Sequence, residues 1–270
     1  MNFHRILELA LFDLRWSLLR RKGLMYILPF GLFWYVVLKQ FYQGAAYSIQ
    51  TNGVVILSGI GFDMDTLNHL FIELPPSMSA LYLGAIYTAP FFVMLAANDL
   101  FSSDLGGGYF RFLVTRCQRS EIFLARCLSC LLIIASCTLI CAAITGLIAT
   151  FIEGYPGTVT SAYFFKIIFI LIIYSIPFVA GMAVLSAMLN SAITVMLLAV
   201  VGYTLTLLGI SIAEVAFHEP VIFNYLLPSG VKKDLISIKS ADLWIAIAAL
   251  PAYTLIYGWA AWSVFRRRNL

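Results

Sequence analysis

Charge is what this sequence has least of: only 11% of its 270 residues are Asp, Glu, Lys or Arg, against about 25% in an ordinary soluble domain. With 62% hydrophobic residues and a mean hydropathy of +0.95 beside it, that shortage excludes a water-soluble globular protein. Histidine is scarce too, since His4, His69 and His218 stand isolated and no H-E-x-x-H is present. No serine and histidine pair in a way that suggests an intramembrane hydrolase. A G-x-x-x-x-G-K-[ST] loop is also missing, and the one Lys-Gly contact, Lys22-Gly23, runs in the reverse order. The chain is therefore expected to hold no nucleotide, bind no cofactor and catalyse no reaction of its own. The formal charge of +4 is too small to argue for a nucleic-acid partner and is read as membrane topology instead.

Polar groups are equally sparse inside the long apolar runs. Apart from the boundary residues Asn98, Asp99, Lys166 and Glu214, these runs hold almost no ionisable side chains. An ion-coupled carrier needs buried acids or histidines for its coupling ion, so that class is disfavoured. A non-transporting membrane scaffold or sensor partner remains open. Cysteine is confined to one window of 25 residues, Cys117, Cys127, Cys130, Cys137 and Cys141, on the cytoplasmic side or in the bilayer, where reduced thiols are expected. Cys130, Cys137 and Cys141 share one helical face, which suits either a soft-metal stripe or, more simply, a close helix contact.

What the chain does have is apolar runs of membrane-spanning length. The expected fold is an all-α polytopic membrane protein of one domain, 1–270, with six spans at about 24–41, 78–98, 127–152, 163–189, 192–213 and 243–265. The first run is itself long enough to span and follows 23 residues that carry five basic groups, so no cleavable signal peptide is expected. Residues 1–23 read as an interfacial amphipathic helix, with Phe3, Ile6, Leu7, Ala10, Leu14 and Leu18 on one stripe and Arg5, Glu8 and Arg15 opposite. Residues 42–77 form a non-cytoplasmic connection whose apolar patch, 54–60, suits a re-entrant or a surface helix. Asn190-Ser191 makes a tight hairpin. Residues 214–242, broken at His218-Glu219-Pro220 and Pro228-Ser229-Gly230, suggest half-helices re-entering the outer leaflet, with an ordinary external loop as the alternative. This arrangement puts 12 of the 17 basic residues inside, which by the positive-inside rule makes both termini cytoplasmic.

Residues 98–130 carry the strongest functional signal. They are a charge-bearing interruption between the second and third spans, with Arg111, Arg116, Arg119 and Arg126 against Asp99, Asp104 and Glu121. Gly106-Gly107-Gly108 is a permissive joint, residues 109–116 form an arginine-bearing amphipathic run, and Ser120 or a neighbour is the expected cap of the third span. A short helix across the cytoplasmic mouth, exposing aromatic and cationic groups, suits a protein contact.

This pattern resembles the permease subunits of ABC transporters of the ABC-2 type. Those proteins carry an acid, a glycine-led amphipathic run, a turn with an arginine, and a base at the start of the third span. Here the matching positions are Asp104, Gly107 or Gly108, residues 109–116 with Arg111 and Arg116, Arg119 and Arg126, with Glu121 beside the turn. Cys117-Gln118 stands where the family commonly has proline and a small apolar residue. The resemblance implies a coupling helix between spans two and three and docking to an ABC ATP-binding subunit, present in two copies and holding ATP and Mg. It also implies pairing with a second permease chain, identical or related, and export of an amphipathic or hydrophobic peptide, lipid or drug across a prokaryotic plasma membrane.

Overall fold

In hydrocarbon a backbone must satisfy its own N–H and C=O groups, so long apolar runs become helices. The computed structural model describes residues 3–19, 21–42, 64–217, 225–237 and 240–268, and every regular element among them is helical. In chain order these are α1 (Phe3–Leu19), α2 (Arg21–Tyr42), α3 (Met64–Asn68) with a π-helical turn (His69–Glu73), α4 (Pro76–Ala97), α5 (Ser102–Gly106) and α6 (Phe110–Val114). They continue with α7 (Arg119–Phe151), α8 (Gly157–Met188), α9 (Ala192–Phe217), a 3-10 turn (Pro228–Val231), α10 (Lys232–Ile236) and α11 (Ser240–Arg267). Five helices among the described residues are long and apolar enough to cross a membrane: α4 with its continuation through α5, then α7, α8, α9 and α11. The chain thus has the architecture of a multi-pass helical membrane protein.

The hub is α8, which packs against α11, α7, α4 and α9. It is apolar on all sides, burying Ile167, Ile170, Tyr174 and Ala183 against its neighbours while Phe165 and Phe169 are exposed, as suits a helix that faces hydrocarbon on its open side. Serine and threonine are accommodated because their hydroxyls donate to carbonyls one turn back, as Ser175 does to Leu171 at 2.7 Å and Thr145 to Cys141 at 2.7 Å.

Helix boundaries depart from hydropathy where a local cap decides them. The third apolar run was expected from 127, but α7 begins at Arg119, because extended Gln118 (φ −70, ψ 146) starts the helix two turns before the hydrophobic stretch. Its cap is therefore Gln118, and Ser120 sits inside the first turn. Likewise α8 starts at Gly157, directly after Pro156, rather than at 163. Pro75 and Pro76 open α4, where a missing N–H costs nothing.

The apolar stripe foreseen on α1 is divided between two surroundings. Ile6 and Ala10 pack against Ala125 of α7, while Phe3 and Leu7 are exposed. Of the broken segment before the last span, residues 225–237 are described, and their helical part, Pro228–Val231 with Lys232–Ile236, packs against α11 and α4. Ser229, Val231, Leu235 and Ile236 are buried there, and the Tyr82 hydroxyl of α4 donates to the Leu235 carbonyl at 2.6 Å. The apolar patch at 54–60 and the His218-Glu219-Pro220 break lie outside the described residues.

Candidate functional site

The linker from α4 to α7 is built from its own hydrogen bonds outward. Asp99, just past α4, accepts from the Ser103 N–H at 2.9 Å and the Ser102 hydroxyl at 3.1 Å. From α8, the buried Ser186 hydroxyl oxygen accepts from the backbone N–H groups of Phe101 (2.8 Å) and Ser102 (3.1 Å). These acceptors satisfy donors that a helix start leaves open. Gly106 ends α5, Gly108 turns the chain with a left-handed φ of 69 that glycine adopts without strain, and α6 follows. Within the run 109–116 the helical part is α6, Phe110–Val114, with turns at 109 and 115–116. Helical turns α5 and α6 flank a glycine turn, and the chain reverses at Thr115-Arg116-Cys117 before α7.

An aromatic cluster holds this linker in place. Phe101 and Phe110 of the linker bury against Phe265 of α11, at ring separations of 4.9 and 5.7 Å, and Phe101 stacks on Phe123 of α7 at 5.5 Å. Trp262 closes the cluster against Phe123 at 5.6 Å. Such contacts add to the burial energy of large rings. With the inner face consumed, the outer face presents Tyr109, Arg116 and Phe112, whose side chain is 73% exposed.

Charge completes the anchoring. Arg126 of α7 reaches Asp104 of α5 at 2.5 Å and Asp13 of α1 at 3.1 Å, all three largely shielded from solvent. Arg119 donates to the carbonyls of Arg266 (2.8 Å) and Arg268 (3.2 Å) at the end of α11. Arg268 in turn donates to the Ala187 carbonyl at 2.6 Å, to the Met188 carbonyl, and to Oδ1 of Asn190 at 2.5 Å. Cations on the last carbonyls of a helix match both its open acceptors and its dipole. Glu121 is only 2% exposed and its Oε2 accepts from the Gln118 N–H at 3.2 Å.

Of the residues singled out in the sequence, Asp104 and Arg126 are therefore brought together, Gly107 and Gly108 form the turn, Arg116 is exposed, and Arg119 and Glu121 brace the start of α7. Arg111 lies in α6, and its side chain is outside the described part. Sequence reasoning does not single out Asp13, Ser186 or Arg268, and it reads Gly106 only as part of a glycine joint. Gly106 matters by contact: a Cβ there would meet the Asn190 carbonyl oxygen at 2.6 Å.

Two cavities lie beside α4 and α7, one of them against this linker. One of about 450 Å³ lies among α1, the end of α4, the linker and α7, lined by Asp13, Asp99, Asp104 and Arg126 and by Ala96, Cys130 and Ile133. A second, of about 30 Å³, lies higher between α2, α4, α7 and α8, with Tyr26, Phe30, Trp34 and Phe92 on its wall. At the far end of the same helices, Glu153 after α7 accepts the Ser77 N–H of α4 at 3.1 Å. Desolvation raises the Glu153 carboxyl above its ordinary pKa, against the opposing pull of its hydrogen bonds with Ser77. Among the described residues, no three His, Cys, Asp or Glu side chains stand where they could share a metal ion.

The chain belongs to the family described as protein of unknown function (DUF2705), whose family model matches residues 72–270, from the π-helical turn through α11. No curated protein matches it.

Proposed function

We propose that this DUF2705 protein is the membrane permease subunit of an ABC-2 type transporter, driven by a separate ATP-binding subunit that docks on the α4–α7 linker. In this reading α2, at 22 residues about 33 Å long, is the sixth span. Both termini and the linker face the cytoplasm, α1 lies at the membrane surface, α5 and α6 form the coupling element, and the segment 228–236 re-enters the outer leaflet. Two permease chains and two ATPase subunits make the working assembly, and the cargo is an amphipathic or hydrophobic molecule.

The observation that carries the reading is the two-faced linker. Its inner face is fixed to α1, α7, α8 and α11 through Arg126, Phe101, Phe110 and Ser186, while its outer face offers Tyr109, Phe112 and Arg116 to a partner. Aromatic and arginine side chains are the types that dominate interface energetics. Differential binding of ATP to two states of the assembly supplies the work, and the linker transmits it.

The test is co-expression with an ABC ATPase of the same genome, followed by purification in detergent. A stable complex whose ATPase rate changes on Phe112→Ala or Arg116→Glu supports the proposal. A chain that holds no ATPase, or an ATPase rate indifferent to both substitutions, sinks it and leaves the scaffold reading.

A further inference from the structure

The two cavities lie end to end in one groove between α4 and α7. Ala96 and Ile133 line the lower one, Phe92 and Ile134 the upper, so on each helix the linings are at most about one turn apart. The N-terminal helices roof this groove: α1 covers the lower cavity with Phe12 and Asp13, and α2 covers the upper one with Tyr26, Phe30 and Trp34. Along its length the chemistry changes from mixed charge to aromatic hydrocarbon. In the wall of the upper cavity sits an unpaired donor, for the Tyr26 hydroxyl is buried without a hydrogen-bond partner on a side chain only 2% exposed. Thr88, Thr138 and Ser175, which also line the upper cavity, spend their hydroxyl protons on carbonyls of their own helices. A buried hydroxyl without an acceptor is costly, and natural structures rarely leave one unexplained.

We propose that this groove binds one glycerophospholipid with a primary-amine zwitterionic head group. Its phosphate meets the Arg126 guanidinium, a donor array suited to phosphate. Its ammonium, with three donors, finds acceptors on the carboxylates that line the same cavity, each of which has several lone-pair sites. An ester carbonyl, which in such a lipid lies between head and chain, accepts from Tyr26. One acyl chain starts along Phe30, Trp34 and Phe92. At about 450 Å³ the lower cavity is within the range of small-molecule sites, whereas the upper one admits no polar head group. The lipid inference needs only this chain and stands whether or not an ATPase docks on the linker.

The test is native mass spectrometry of the purified full chain in detergent, titrated with phosphatidylethanolamine and, separately, phosphatidylglycerol of the same acyl composition. One phosphatidylethanolamine per chain is expected, preferred about tenfold because its ammonium adds charge-assisted hydrogen bonds that glycerol lacks. Tyr26→Phe, which removes one hydroxyl and nothing else, is expected to weaken that binding about fivefold. Ala96→Phe, which fills the cavity floor, is expected to abolish it. Water-soluble phosphoethanolamine, lacking the chain, is expected not to displace the lipid at equal concentration. Equal binding of the two lipids, unaltered binding by Tyr26→Phe, or displacement by phosphoethanolamine overturns the proposal. Because Tyr26→Phe is nearly isosteric, it decides the matter even if Ala96→Phe does not fold.

Discussion

Gly106 lies so close to Asn190 that a Cβ on the glycine would stand 2.6 Å from the Asn190 carbonyl oxygen. Asn190 is in the three-residue turn between α8 and α9, and its side chain also accepts from Arg268 beyond α11. The linker, the α8–α9 turn and the end of α11 therefore meet at one point.

Substitution separates Gly106 from Gly108. Gly106→Ala is expected to cost about 1–3 kcal/mol, the usual range for forcing extra volume into a packed site. Gly108→Ala is expected to cost about 1 kcal/mol through its left-handed φ of 69, since open space surrounds it. Chemical unfolding in detergent, followed by circular dichroism, ranks the two. A harmless Gly106→Ala would mean that the turn at Asn190 yields easily.

Arg126 is expected to act as one unit with Asp13 and Asp104. Arg126→Met leaves two shielded carboxylates facing each other and is expected to destabilise by about 2 kcal/mol, below the range for fully buried pairs because all three groups keep some solvent contact. Asp13→Asn and Asp104→Asn, combined in a double-mutant cycle, are expected to be non-additive. Additive costs would show two independent pairs rather than a triad.

Phe112→Ala and Arg116→Ala are expected to change stability by less than about 0.5 kcal/mol, as ordinary surface substitutions do. Phe110→Ala, two residues away but buried, is expected to cost about 3 kcal/mol or more. Comparing melting curves of the three variants distinguishes the two faces of the linker. Equal losses would mean that Phe112 is packed in the working protein.

How much of this was legible in the sequence depends on whether the cause was local. Apolar runs of spanning length and the charged break between them are local, so the helical class and the position of the linker could be read directly. The pairing of Asp104 with Arg126 joins two residues already singled out by type. Asp13 is different: one acid on an amphipathic helix reads as part of a solvated face, and only the packing of Ile6 and Ala10 on Ala125 turns it toward Arg126. Gly106 looked like one of three interchangeable glycines because its partner, Asn190, is more than eighty residues distant. By residue type Ser120 or a neighbour suits the cap, and only the extended backbone of Gln118 fixes the helix start there.

Glu153 gives a pH dependence of definite sign. Burial raises its pKa above the ordinary 4.5, so the protonated form is the one the fold favours. Its contribution to stability is complete below pH 4.5 and is lost as pH rises through the raised value in the folded protein. Glu153→Gln keeps an acceptor for the Ser77 N–H and cannot ionise. The variant is expected to melt at or above the parent at neutral pH, and the gap should close as the pH falls toward 4.5. Parallel curves across that interval would remove Glu153 from the titration.

Glu153 and Ser77 join α7 to α4 at one end, and Asp104 and Arg126 join the same pair of helices through α5 at the other. Two struts pinned at both ends make a four-sided frame. Such a frame resists splaying but permits shear, so under the proposed function a push on α5 and α6 is expected to slide α4 along α7 and to reach the opposite face of the bundle as a displacement of the same sense. Cutting either pin converts that slide into a local hinge. A double variant lacking both pins should therefore retain its helices while losing the correlation between their two ends.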